Sequence, residues 1–372
     1  MYFVTIKNGD TERLIHRTVD FNDPKLTTGV MRQGINRIKT FKFEILPNHP
    51  YYDEFHSFTT LIEVYNQVSN HLDFVGRVLS ATEIMNREGL IIKRILCESE
   101  MAYLTDSHQR FHEFRGSVRE LLEHMLMVHN RQVEENKKFL VGDVEFNDNL
   151  YRFVGYENTF DEIIENITSR IGGELRVRVV NSVRYLDLVE KIGAERDTEI
   201  RLSKNLISIT KQQDPTAIIT RLLPLGARLD DGDDDEVSAV TTARVTIETV
   251  NNGRDYIDDT EGIAEFGIIE GTHIWDDVTL PINLLSRALN YLHENNRIKT
   301  QYTVSALDLA SIGLDMDTFE VGNSYQLINQ IMNVDTRLRV VQKTIDIMEP
   351  QRSELEIGDK FQTIQEFQLN GR

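Results

Sequence analysis

The chain has 372 residues, 41 Lys and Arg against 60 Asp and Glu, a formal charge of -19, and one cysteine. That length exceeds one ordinary core and implies roughly two to four domains, each able to bury its own interior. So acidic a surface repels phosphate backbones and speaks against sequence reading of nucleic acid, while Cys97 alone can form no internal disulfide and nothing demands an oxidising compartment.

The N-terminus, MYFVTIKNGDTERLIHRTV, alternates like a strand and lacks the apolar core of about 7–15 residues that marks a signal peptide. No apolar run approaches the roughly 18 residues that cross a bilayer, so membrane insertion is not expected. Short β-rich runs follow to about Arg115: YFVTI, RLIHRTV, IKTFKFEIL, TTLIEVY, LDFVGRVL and GLIIKRILC. Asn8-Gly9-Asp10 and Glu88-Gly89 supply turns between them. The pattern predicts an antiparallel barrel or sandwich, in which Leu90–Cys97, apolar on both faces, is covered on two sides.

Ser117 and Glu120 have capping-box spacing before a helical stripe of Val118, Leu121, Leu122, Met125, Leu126 and Val128, predicting a helix to about Val133. A second helix is expected after Thr159, with Glu162 placed to cap, Ile163, Ile164, Ile167 and Ile171 on one stripe, and a stop at Gly172-Gly173. ELRVRVV and VRYLDLV flank Asn181-Ser182 as a hairpin. The acidic run Asp230–Glu236 reads as a loop, ARVTIETV as a strand, Asn252-Gly253 as a turn, and the segment from Thr279 and Pro281 as a helix carrying Leu284, Leu285, Ala288, Leu289 and Leu292. Strands return in QYTVSALDL, SYQLINQI, RLRVVQKTIDIM and SELEIG. The expected division is a β-barrel over 1–115, an α+β domain over 116–228, an inserted acidic loop with strand and helix over 229–300, and a β-rich domain over 301–372 that completes a second barrel with parts of 134–228.

Candidate chemistry is sparse. Cys97 sits in an apolar strand rather than the electropositive, accessible setting of a nucleophile. His108 and His112 would share a helical face but lack the adjacent glutamate of a zinc protease, and His124 and His129 diverge on their helix. Asp230–Glu236 departs from calcium-loop spacing. Trp275-Asp276-Asp277, with His273 and Glu270 near, could be drawn as an acid/base site, although carboxylates just before a helix suit its N-terminus. Gly172-Gly173 closes a helix and cradles no phosphate. No catalytic, cofactor-binding or metal residue is assigned.

Four collinear blocks carry a resemblance. They are Gly76–Gln109, with its Gly-Arg-Val-Leu opening and Glu-Met-Ala-Tyr-Leu-Thr-Asp-Ser close; Leu121–Gly142, with His129–Val133 and FLVGDV; Asp255–Leu292; and the closing strands with FEVGNSYQL and LEIGDKF. Together they resemble the tail-tip, or baseplate hub, proteins of siphophages and prophages of Gram-positive bacteria, often labelled prophage tail endopeptidases or tail-associated lysins. That resemblance implies a multi-domain, β-rich α+β fold like the hubs of contractile phages and type VI secretion spikes. It further implies two antiparallel barrels per subunit and a homotrimer whose ring of six barrels joins the distal tail protein and tail tube to the tip.

Tape-measure, tip and receptor-binding proteins are the other expected partners. The same resemblance implies passage of DNA without specific binding and a location at the virion tail tip after synthesis in the host cytoplasm. The endopeptidase activity belongs, in such a family, to domains attached after the hub, and no such domain is expected here. A structural subunit without cofactor is therefore the expectation. The alternatives are a peptidoglycan endopeptidase seated at His108/His112 or His273/Asp276/Asp277, and a carbohydrate-binding module using Tyr51, Tyr52, Trp275 and Tyr302.

Overall fold

Alternation drives the N-terminal strands. In the computed structural model, which describes residues 1–147, 149–215, 218–229, 243–276, 278–295, 299–309, 314 and 318–358, these are β1 (Tyr2–Asn8), β2 (Thr11–His16), β3 (Thr28–Gly34), β4 (Thr40–Ile45), β5 (Leu61–Asn66), β6 (His71–Met85) and β7 (Ile91–Ser99). They pair antiparallel in the order β3-β4-β7-β6-β5-β1-β2. Every second side chain enters one core, where Phe41 stacks on Phe43 at 5.1 Å and Phe43 meets Phe55 edge-on at 5.5 Å. β3 was not anticipated, because TGVMRQG has few β-branched residues and a glycine near each end. β7 is not covered evenly on two sides: Lys93, Ile95, Cys97 and Ser99 are buried, the alternate residues are half-buried, and Ile91 is exposed.

A 3-10 segment, Glu100–Asp106, leads to β8 (His112–Ser117) and α1 (Val118–Asn130). Both arms of the capping box are present, and α1 ends three residues earlier than expected, at Asn130. β9 (Leu140–Val144) and β10 (Asn149–Val154) follow, and β10 pairs antiparallel with β8. The next helix is α2 (Thr159–Ile163), a π-helical turn over Ile164–Thr168 and α3 (Ser169–Ile171), closed by Gly172 at φ +83°. Its cap lies one residue before the expected one: the Asn158 side chain accepts from Asp161 N, whereas Glu162 Oε1 accepts from Glu157 N. β11 (Glu174–Val180) and β12 (Val183–Val189) form the expected hairpin, with Asn181 and Ser182 at φ +50° and +63°, and β9 runs parallel to β12. Leu121, Leu122, Met125, Ile163, Ile167 and Leu186 share the core of this region.

β13 (Glu195–Arg201), β14 (Leu206–Asp214), β15 (Arg221–Leu225), β16 (Ile257–Asp258), α4 (Thr260–Phe266), β17 (Glu270–Ile274), α5 (Pro281–Asn295), β18 (Lys299–Leu307), β19 (Ser324–Asn329), β20 (Val334–Asp346) and β21 (Arg352–Gly358) complete the order. β20 ties the architecture together: its first half pairs with β19, and its second half lies between β21 and β3. Val340 therefore belongs to a C-terminal core with Tyr325, Leu327 and Leu355, whereas Ile345 belongs to the N-terminal core. The large sheet thus runs β14-β18-β21-β20-β3 and on to β2, and its end strands are not joined among the described residues.

The chain divides into two compact units. One comprises residues 1–211 with the stretch from Tyr302 to the last described strand; the other is residues 212–301. In the second, β15 lies between β16 and β17, and α5 covers it with Ala288 and Leu292 against Leu222. ARVTIETV forms no strand there: only Arg244 bridges to Arg228, Val245 and Ile247 turn inward, and Glu248–Val250 winds into a 3-10 turn. The Asn252-Gly253 turn is present, at φ +54° and +77°.

Candidate functional site

The Gly76–Gln109 stretch folds into a charged node rather than a cleft of reactive groups. Arg77 is 1 % exposed, and its Nε donates to Glu98 at 2.8 Å while its two terminal nitrogens grip Asp106 at 2.5 and 2.6 Å. The guanidinium lies between the Phe58 and Tyr103 rings, 5.0 and 5.1 Å from their centroids. Lys137 adds a second cation 3.1 Å from Asp106. Burial pushes the Asp106 carboxyl up, but Arg77 and Lys137 outweigh it and hold it below the usual range. A small depression of about 290 Å³ opens beside these groups.

Next to the node, Gln109 Nε2 donates to Thr159 Oγ1 at 2.7 Å, and Thr159, Ser107 and His129 continue the chain at 2.7 and 2.6 Å. His129 Nε2 faces the Lys137 carbonyl at 3.1 Å, so it carries the proton and Nδ1 accepts from Ser107. A serine hydroxyl on a histidine is the pairing a hydrolase uses. Here all four side chains are buried, and burial pushes His129 down toward the neutral imidazole. The arrangement locks β8's approach, α1 and α2 together, and it offers the hydroxyl no open side.

The residues singled out from sequence do not converge. Cys97 is wholly buried, and its thiol is pushed well above its ordinary range. His108 bridges to Asn158 through the backbone, and His112 starts a strand, so the two share no helical face. His112 instead stacks on His124 at 4.5 Å, and burial followed by that neighbour pushes His124 down. His273 packs 4.3 Å from both Trp275 and Tyr291, while Asp276 pairs with Arg244 at 2.6 Å and does not cap α5, which begins only at Pro281. Glu270 is exposed, and Asp277 and the Asp230–Glu236 run lie outside the described residues. Lys93 lies 3.8 Å over the Tyr52 ring, Arg13 lies over Tyr51, Tyr302 is buried in the C-terminal core, and Trp275 belongs to the other unit. Among the described residues no group of three His, Cys, Asp or Glu side chains could share a metal ion, and no helix is long and apolar enough to cross a membrane.

A groove of about 1180 Å³ in the first unit is lined by Lys39, Asp73, Glu320 and Lys343 among others. Lys343 donates to the Phe319 carbonyl at 2.5 Å and lies 3.8 Å from Asp308; burial pushes its ammonium down against the pull of that carboxylate. Sequence reasoning missed Arg77, Ser107 and Lys343. Charged and hydroxyl residues in strands and loops ordinarily face water, and only the partners supplied by distant segments reveal their burial.

Known proteins share part of this sequence and most of this fold. The prophage endopeptidase tail family matches residues 194–368, the span from β13 through β21. The chain carries a prophage tail fold. Prophage tail protein gp18 of Listeria monocytogenes EGD-e is 13% identical, with a TM-score of 0.59 over 99% of this chain and 97% of that one. The 43 kDa tail protein of prophage MuSo2 from Shewanella oneidensis is 12% identical, with a TM-score of 0.63 over 96% and 98%. A Francisella PdpA-VgrG complex includes a chain 10% identical, with a TM-score of 0.52 over 98% of this chain and 60% of that one. No curated protein matches the sequence. The tail family's segment omits the node around Arg77, which lies in the part matched by fold alone.

Proposed function

We propose that the chain is a structural subunit of a tail-tip hub. Three copies form a ring of two barrels each around a lumen for DNA, between the distal tail protein and tail tube on one side and the tip on the other. The observation that carries this reading is likeness to tail proteins of the same length over nearly the whole of both chains. In this reading the seven N-terminal strands curl into one barrel and the set around β19–β21 into the other, a reading supported by β20, which pairs with strands of both sets. A net charge of -19 suits a passage along which few phosphates would be neutralised and DNA slides without sticking.

Catalysis has no part in this reading. Three candidate histidines already have partners in the fold: His129 has Ser107 and the Lys137 carbonyl, His112 has His124, and His273 has Trp275 and Tyr291. Electron microscopy of the purified chain, alone and with its tube and distal protein, should show a three-fold ring with a central hole. A single compact subunit under both conditions would overturn the hub. Incubation with Gram-positive peptidoglycan should release no peptides, whereas release abolished by His129→Ala would make the protein an enzyme.

A further inference from the structure

Beyond its pairing with β5 and β4, the β6–β7 hairpin projects as a prong. β5 pairs with β6 only from His71 to Arg77, and β4 pairs with β7 only from Lys93 to Glu98. The two strands go on together to Ile84↔Ile92 and Met85↔Ile91. The turn is built rather than loose: Asn86 Oδ1 accepts from Glu88 N and Leu90 N at 3.0 and 2.9 Å, and Gly89 takes φ +83°. Successive side chains point to opposite faces, so apolar residues at both Ile84 and Met85 make the prong apolar on two sides. Met85 is 71% exposed and Leu90 52%. The two-sided covering that the sequence calls for at this end of β7 is not supplied by the chain itself.

The same unit carries a second exposed apolar feature. β8 and β10 form a ribbon of their own, whose inner face buries Leu150 and Val154. On the outer face Phe153 stacks on Phe111 at 6.2 Å and meets Tyr151 edge-on at 5.2 Å, with Phe111 59% and Phe153 54% exposed. Scattered apolar residues are ordinary on a surface, whereas a contiguous aromatic cluster is the kind of feature that marks a contact.

We propose that the prong of one copy docks on this aromatic face of the next copy, a deepening that rests on the ring reading above. Each chain then contributes one prong and one face. In the ring, each copy gives its prong to one neighbour and its aromatic face to the other, a head-to-tail contact. The chemistry is complementary: a flexible thioether and aliphatic side chains on aromatic rings, with Arg87 and Glu88 at the prong's turn to exchange partners with the exposed Glu113–Arg115 pair, 3.2 Å apart beside the rings.

The test uses the full chain with Met85→Asp and Ile91→Asp in the prong, or Phe111→Ser and Phe153→Asp in the face. All four positions are exposed, and circular dichroism checks the fold. Sedimentation should show each variant associating about tenfold or more weakly than the unaltered chain. Mixing the two variants should restore pairs but no rings, because each pair retains one intact prong and one intact face. Unchanged rings in both variants would overturn this contact while leaving the hub standing. Should the unaltered chain form no ring even with its tube, the hub itself falls. A separate variant with Met85→Cys and Phe153→Cys, oxidised at high concentration, must cross-link between chains; absence of that bond, or prong variants that lose only the distal protein, would also overturn the inference.

Discussion

At the residue scale, Arg77 shows how an acidic chain uses its few internal cations. A buried guanidinium is tolerable only when its charge and donors are met, and Glu98, Asp106 and two rings meet them. Arg77→Ala leaves two partly buried carboxylates facing each other and should cost about 3 kcal/mol in urea unfolding, the lower end for breaking such a pair because both carboxylates touch solvent. Asp106 titrates below its unfolded value, so its contribution is present above about pH 4 and is lost as the pH falls through the lower folded value. The acid limb of stability should therefore flatten in the variant. His16 has the opposite sense of charge. Burial first, then His49 and Lys25, lower it to about 4, and its Nδ1 accepts from Leu26 N. Between pH 6.5 and 4 the unfolded chain binds the extra proton, so stability should fall on acidification by on the order of 3 kcal/mol at most. Unfolding at pH 7 and 4.5 should show this fall, reduced in His16→Asn. Neither role was legible beforehand, since burial of a charge depends on neighbours that sequence does not place.

At the scale of elements, local chemistry was legible wherever it acted within about four residues. The Ser117–Glu120 box, the Asn181-Ser182 turn, the stop at Gly172 and the start of α5 all fold as their residues dictate. What failed was local signal with a competing neighbour: Asn158 rather than Thr159 caps α2, and ARVTIETV yields to a bridge and a 3-10 turn under α5. Gly76 is the sharpest element-scale constraint. A Cβ there would lie 2.0 Å from the Glu98 carbonyl oxygen and 2.8 Å from Ser99 Cα, both backbone atoms that cannot swing away. Gly76→Ala should destabilise by about 3 kcal/mol in thermal or urea unfolding. Ser117→Ala should cost about 1 kcal/mol by losing one cap. That contrast identifies strand approach at Gly76, rather than helix initiation at Ser117, as the tighter demand.

For the whole molecule, the decisive feature is β20, more than three hundred residues after β1 and yet paired to β3. Ile345 and Ile347 complete the N-terminal core, and Ile347 packs against Gly29 so closely that a Cβ there would lie 2.6 Å from its side chain. A fragment of residues 1–115 should therefore lack a cooperative unfolding transition, and a peptide spanning 334–358 added in trans should restore it. Independent folding of the fragment with full near-ultraviolet dichroism would contradict this role for β20.

Sequence by itself determined the β-rich character, most strands, the capped helix and the hairpin, because alternation, capping and turn chemistry act over a few residues, while the likeness to tail proteins rested on four blocks of residues. Tertiary structure alone decided that Ser107 and His129 are buried partners, that His112 meets His124 rather than His108, and that one C-terminal strand serves two cores. Those outcomes depend on contacts between segments far apart in the chain, whose energies come from shared burial and matched charge, and no short window of sequence contains both partners.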